Sequence, residues 1–208
     1  MKFSVLMSVY KNDKAEYLKQ AIDSVVHQTV KPDEIVLVED GPLSEDLNVC
    51  IQSCKKNIPE LKIVPLPENR GLGIALQTGM KHCSNELIAR MDSDDICVPD
   101  RFEHQLKQFE KDPHLSMVGG NIEEFIESPD KPVGLRTVPE QDQDIKDYMK
   151  KRCPFNHITV MFQKTAVMKA GGYLDWHYNE DYYLWIRMML AKCKFYNIPK
   201  ILVHVRVG

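Results

Sequence analysis

The chain has 208 residues, enough for one domain with a sizeable core, and its 43% hydrophobic content is that of an ordinary globular protein. A net charge of −3 argues against a general nucleic-acid binder. No apolar run is long enough to span a bilayer, and Met1-Lys2-Phe3-Ser4 leads straight into a strand pattern rather than a signal peptide, so the expected location is the cytoplasm, with peripheral membrane contact left open.

Phe3 to Val9 reads as a first strand, with Ser8, Val9 and Tyr10 at its C-terminal end. Asn12 or Asp13 is expected to cap the next helix, since Glu16 stands three after Asp13 as in a capping box. Leu18, Ala21, Ile22, Val25 and Val26 then recur at helical spacing. Glu34 to Val38 is a second apolar strand ending in Glu39-Asp40-Gly41, and Ser44 caps a helix carrying Leu47, Cys50, Ile51 and Cys54. Leu61 to Val64 is a third strand. Glu68-Asn69-Arg70-Gly71-Leu72-Gly73 comes next, then a helix to about Cys83. Gly71-x-Gly73 fails as a dinucleotide fingerprint, because Leu76 stands where a third glycine belongs. It reads as a helix N-terminus that favours an anion, with Arg70 adding charge.

Leu87 to Met91 is a fourth buried strand, and it ends abruptly in Asp92, Asp94 and Asp95. Pro99 and Asp100 then open a helix through Phe102, Leu106 and Phe109. Carboxylates this close repel unless a cation or a proton relieves them, and hard oxygen ligands suit magnesium or manganese. Asp-x-Asp also arises by chance in a chain that is 27% charged, and acids at strand ends form turns and caps; spacing alone leaves both readings open.

Beyond this point the pattern is a less regular α+β one. Strands are expected at Met117 to Phe125, Thr159 to Phe162, Lys194 to Ile198 and Ile201 to Val205, with a loop or hairpin over Pro129 to Pro139. Helices are expected at Asp142 to Lys151, from Lys164 or Thr165 to Gly171-Gly172, and from an Asn179 cap through Glu180, Asp181, Tyr183, Leu184 and Trp185. Acids in a first helical turn need no functional reason, since they satisfy orphan amides. The six cysteines form no Cys-x-x-Cys and pair with no histidine at ligand spacing, so all are expected reduced, without a zinc site. Three strands alternating with helices predict a parallel sheet with right-handed crossovers, which brings Ser8, Tyr10, Asp40, Asn69, Arg70, Asp92 and Asp94 to one crevice.

Taken together, Ser8-Val9-Tyr10, Glu39-Asp40-Gly41, Asn69-Arg70-Gly71, Asp92-x-Asp94 and Glu180-Asp181 resemble, in order and spacing, the family-2 glycosyltransferases of GT-A fold, over Phe3 to about Val207. The segments Asn156 to Phe162 and Gly171 to Trp185 resemble the branch that builds bacterial surface polysaccharides. The resemblance implies an α/β fold with a Rossmann-like, mostly parallel sheet in a single domain, residues 1–114 binding nucleotide and 115–208 forming the acceptor side. It implies that Ser8, Tyr10 and Asp40 hold uridine, that Arg70 lies near the nucleotide, and that Asp92 approaches ribose and metal. Asp94 would ligate Mn2+ or Mg2+, and Asp181 would be the catalytic base. Glu180, His157 and Trp185 would lie near the acceptor. His204 resembles a late metal or phosphate contact, with a structural strand histidine as the alternative.

The activity implied by the resemblance is an inverting transfer of one sugar from a UDP-sugar to a saccharide or a lipid-linked oligosaccharide at the inner membrane face. Single addition is expected because the Gln-x-x-Arg-Trp motif of processive synthases is absent. Glu39 stands where members usually have a first aspartate. The chain ends at Gly208 where members often continue, and the resemblance ties such a tail to acceptor or membrane binding. A sugar-1-phosphate nucleotidyltransferase would need a glycine-rich phosphate loop after the first strand, and Tyr10 to Lys14 has no glycine. A nucleotide-sugar-binding module without activity is the other alternative.

Overall fold

In the computed structural model, which describes residues 1–176 and 179–207, one sheet runs through the whole molecule in the order β3-β2-β1-β4-β8-β6-β9-β5, with β7 added beside β6. Its first half is β1 (Phe3–Val9), β2 (Glu34–Glu39), β3 (Leu61–Pro65) and β4 (Leu87–Met91), joined by the helices α1 (Ala15–Val26), α2 (Glu45–Asn57) and α3 (Leu72–His82). All pairings among these four strands are parallel, as the alternation of strand and helix predicts. The strands are apolar on both faces because both faces are covered. Val5, Met7, Ile35, Leu37, Ala89 and Met91 face α1, α2 and α4 (Arg101–Lys111), whereas Leu6, Val36, Val38 and Ile88 face α3 and α7 (Glu180–Leu190).

The second half contains β5 (Ile96–Cys97), β6 (Leu115–Phe125), β7 (Pro132–Arg136), α5 (Asp142–Met149), a 3₁₀ turn (His157–Thr159), β8 (Met161–Gln163), α6 (Lys164–Lys169) and β9 (Lys194–Arg206). Here β4–β8, β6–β8, β6–β7 and β5–β9 are antiparallel and only β6–β9 is parallel, so the all-parallel run of the sheet ends at β4. The 129–139 segment is the hairpin arm β7. The two expected closing strands are one strand, β9. Gly120 pairs with Ile198 and Asn121 with Ile201, so Pro199 and Lys200 bulge out where proline has no N–H to give. Thr159 belongs to the 3₁₀ turn rather than to a strand. All six cysteines are free.

Parallel pairing aligns the strand ends. Met7 sits opposite Leu37 and Met91, so Ser8 and Tyr10, Asp40 and Asp92 leave the sheet along one edge. Gly73, in the first turn of α3, lets the second half of the chain close on this edge: a Cβ there would lie 2.4 Å from the Leu174 carbonyl oxygen and 3.2 Å from Glu180 Cβ. Gly73→Ala is therefore expected to destabilise by about 1–3 kcal/mol, the ordinary range for overpacking. A thermal melt checks this, and an unchanged Tm contradicts it.

Candidate active site

The cleft at this edge has a volume of about 410 Å³ and is lined by Ser8, Tyr10, Asp13, Asp40, Asn69, Gly71, Asp92 and Asp94, among others. A second hollow of about 340 Å³ between α1 and α2 lies at the opposite sheet edge, beside Pro32 and Glu60, away from these groups. Tyr10 is 42% exposed, so its ring offers a free face. Asp13 does not cap α1, whose N-cap is Lys14 without a side-chain bond. Instead Asp13 Oδ2 accepts from the Tyr10 amide at 3.1 Å and from Ser93 Oγ at 2.8 Å, tying the first loop to the acid loop.

Asp40 is buried and organises the loop after β3. Its Oδ1 accepts from the Arg70 amide at 2.7 Å, and its Oδ2 accepts from Gly71 N and Asn69 Nδ2, each at 3.0 Å. The anion held at the start of α3 is thus Asp40 itself. A carboxylate has four acceptor positions, so one remains. Gly41 makes this close approach possible: its φ is +86°, and a Cβ would lie 2.4 Å from the Asn69 nitrogen. Arg70 is not among the residues that line the cleft: its amide goes to Asp40, and its side chain is exposed beside the lining residues Asn69 and Gly71.

Asp92, Asp94 and Asp95 each present an oxygen within 4.8 Å of the others. Burial, then Asp92 and Asp94, pushes the Asp95 carboxyl up to about 8. Burial, then Asp92 and Asp13, raises Asp94. A hard divalent cation fits this set, because three converging carboxylates carry more negative charge than the one arginine paired with them, Arg90, offsets. Two arginines anchor the loop. Arg90, 2% exposed on β4, pairs with Asp92, and its Nε and Nη1 are buried without a hydrogen-bond partner among the described residues. Arg206 donates its amide to Asp95 Oδ1 at 2.7 Å and its Nε to the Asp94 carbonyl at 3.1 Å, with its guanidinium over Tyr17 and Phe125.

The raised acids fix a sign. The stability that protonated Asp95 and Asp94 contribute is fully present below the ordinary carboxylate value and is lost as pH rises through their raised values, by about 8 for Asp95. A cation competes with those protons. Mn2+ is therefore expected to raise Tm more at pH 8 than at pH 6; an equal or smaller rise at pH 8 contradicts the cluster as the cation site.

Asp181, in the first turn of α7, lies within electrostatic reach of Arg90. Its Oδ1 accepts from the Tyr182 amide at 2.6 Å, and burial raises its pKa. His157 Nδ1 is 3.9 Å from Asp181 Oδ2, and His157 Nε2 is 2.9 Å from Tyr173 Oη. Asn179 sits at the N-cap but makes no side-chain cap bond. Trp185 does not line an acceptor surface: it is 0% exposed and packs edge-on against Phe155 and His157. His204 lies outside the three-carboxylate cluster, with Nδ1 3.4 Å from Glu123 Oε2.

Four residues of the site, Asp13, Arg90, Tyr173 and Arg206, are not singled out by sequence pattern as functional. Arg90 does carry a signal, since a charged residue inside the run Leu87–Met91 has no place in an apolar strand without a partner.

The sequence model of glycosyl transferase family 2 matches residues 4–173. An uncharacterized glycosyltransferase of Haemophilus influenzae is 48% identical over 208 residues, covering 100% of this chain and 77% of that protein. The amylovoran biosynthesis glycosyltransferase AmsE of Erwinia amylovora is 42% identical, covering 99% of this chain and 76% of its own length. The UDP-Gal:alpha-D-GlcNAc-diphosphoundecaprenol beta-1,3-galactosyltransferase of Escherichia coli is 37% identical, with 99% and 74% covered. Among solved structures, S. aureus TarS 1-349 in complex with UDP-GlcNAc superposes with a TM-score of 0.77 at 17% identity, over 100% of this chain and 59% of that one. The mannosyltransferase PcManGT from Pyrobaculum calidifontis, in complex with GDP-Man and Mn2+, gives 0.75 at 16%, over 100% and 57%. The chain thus spans about three quarters of these curated relatives and under two thirds of the two solved chains. It belongs to glycosyl transferase family 2 and has the GT-A fold.

Proposed function

We propose that the protein transfers one sugar, with inversion, from a UDP-sugar to a lipid-linked or saccharide acceptor in cell-surface polysaccharide synthesis. The observation that carries this reading is one cleft that brings Ser8, Tyr10, Asp40, Asp92 and Asp94 together, with Arg90 paired to Asp92 and within electrostatic reach of Asp181. The residues of the first half hold the donor. Tyr10 offers a ring face to the base, and Asp40 keeps one acceptor position for a base N–H. Ser8 and the exposed Arg70 lie beside the nucleotide, and Asp92 and Asp94 are the ligands for Mn2+ or Mg2+. A cation bound there offsets the charge on the departing UDP. Asp181 takes the proton from the acceptor hydroxyl, and burial suits it to that task by raising its proton affinity. Glu180 and His157 stand on the acceptor side.

Two of the relatives support the setting. One is named for amylovoran biosynthesis, and the other for a galactosyl transfer from UDP-Gal to a diphosphoundecaprenol-linked sugar. No helix among the described residues is long and apolar enough to cross a membrane. A lipid-linked acceptor of the kind that the Escherichia coli relative is named for would be met at the inner membrane face. The test is nucleotide release from a panel of UDP-glucose, UDP-galactose, UDP-N-acetylglucosamine and GDP-mannose, with and without Mn2+. Metal-dependent release from at least one UDP-sugar, above that from GDP-mannose, is expected; release from GDP-mannose alone overturns the UDP assignment.

A further inference from the structure

We infer that His157 is a positioning residue for Asp181: its Nδ1–H steadies the carboxylate, and the Tyr173 hydroxyl fixes the tautomer that makes this possible. The inference rests on the reading of Asp181 as the base, and it goes beyond placing His157 near the acceptor.

His157 stands on a rigid platform. It opens a 3₁₀ turn in which Thr159 donates both its amide and its Oγ1 to the Asn156 carbonyl, at 2.9 and 2.8 Å. Asn156 Nδ2 in turn donates to the Gly120 carbonyl at 2.9 Å, which fastens the turn to β6. The imidazole is wedged between Tyr173 and Trp185, with ring centroids at 5.6 and 5.7 Å, and only 10% of its side chain is exposed. Trp185 therefore acts on this side of the molecule through His157.

The protonation state is set by the surroundings. The groups facing the His157–Asp181 pair are Arg90 from β4, Arg136 from β7, Cys153 from the segment after α5, Tyr173, and Glu180 from α7. Burial, and then the Arg90 charge, hold the imidazole well below its ordinary value, so the ring is neutral near pH 7. A neutral imidazole has one donor and one acceptor nitrogen. If Nε2 carried the proton, the Nδ1 lone pair would point at the Asp181 carboxylate, an unfavourable pairing of two acceptors. With the proton on Nδ1, the ring donates toward Asp181 and Nε2 accepts from the Tyr173 hydroxyl at 2.9 Å. Burial drives the Tyr173 phenol upward, which keeps that hydroxyl a donor. The 3.9 Å separation from Asp181 is longer than a hydrogen bond, as is common in a site without substrate, where such bonds tighten only in the complex.

Two measurements test this. In 15N-histidine-labelled protein, long-range 1H–15N correlation reads the tautomer of each of the seven histidines, and His157→Asn identifies the signal by its loss. A neutral ring protonated on Nδ1 between pH 6 and 8 is expected, and Asp181→Ala is expected to shift it toward the Nε2 form. A wild-type ring protonated on Nε2, or on both nitrogens, overturns the inference. The second measurement is UDP release from the best UDP-sugar of the panel above. His157→Phe is expected to lower kcat at least about tenfold, a part of what general-base catalysis supplies, with KM for the UDP-sugar unchanged and the acidic limb of kcat moved to higher pH. His157→Asn, whose amide nitrogen can stand in for Nδ1, recovers part of the loss. Tyr173→Phe, which keeps the ring in the core, changes kcat in the same direction and serves if His157→Phe does not fold. Wild-type kcat with an unmoved acidic limb in both aromatic variants overturns the inference. Wild-type turnover in Asp181→Asn would instead overturn the base assignment, and the tautomer spectrum would still decide the His157 contact.

Discussion

Asp181→Asn is expected to lower sugar transfer by about 10²–10⁴-fold, the range that general acid–base catalysis supplies, while UDP affinity stays at the wild-type level. The separation of the two effects comes from position. Asp181 lies in the first turn of α7 and does not line the cleft of Ser8, Tyr10, Asp40 and Asp92. Asparagine keeps its shape and its bond from the Tyr182 amide but cannot take a proton. The pH profile carries a second signature. The base must be ionised, and burial raises its pKa above the ordinary carboxylate value of 3.8. The wild-type rate therefore falls as pH drops through that raised value. Steady-state kinetics beside UDP titration check both points, and near-wild-type transfer by Asp181→Asn removes Asp181 from the role.

Asp94→Ala, or chelation of divalent cations, is expected to cost about 10²–10³-fold in turnover, equivalent to several kcal/mol of leaving-group stabilisation. The variant should fold. The Arg206 Nε bond goes to the Asp94 backbone carbonyl and survives the substitution. Asp94 is also a carboxylate whose ionised form is disfavoured by burial and by Asp92 and Asp13, so its removal is expected to leave the metal-free Tm equal or higher at pH 8. Loss of activity without loss of stability distinguishes a ligand from a structural acid. A marked fall in metal-free Tm would identify Asp94 as structural instead.

The parts legible in the sequence are those with local causes. Leu87–Met91 followed by three acids reads as a buried strand delivering carboxylates to its end, and parallel alternation alone places that end beside Ser8 and Asp40. Local pattern fails where a distant partner decides. Asp13 fits a capping box locally, yet Ser93, 80 positions away, claims its oxygen. Asp40 reads as a ligand-binding group, and nothing local shows that three of its acceptor positions also hold a loop 29 to 31 residues on. Trp185 sits on a helix whose aromatic positions face either core or cleft, and periodicity does not say which; packing against Phe155 and His157 does. Pro199 reads as a break between two strands, but a bulge keeps β9 continuous.

Calorimetric titration of UDP with and without Mn2+, on the wild type and on Asp94→Ala, tests the central claim most directly. The account predicts tight UDP binding that needs both Mn2+ and Asp94. Absence of UDP binding under every condition, or binding indifferent to both the cation and the Asp94 substitution, would contradict it.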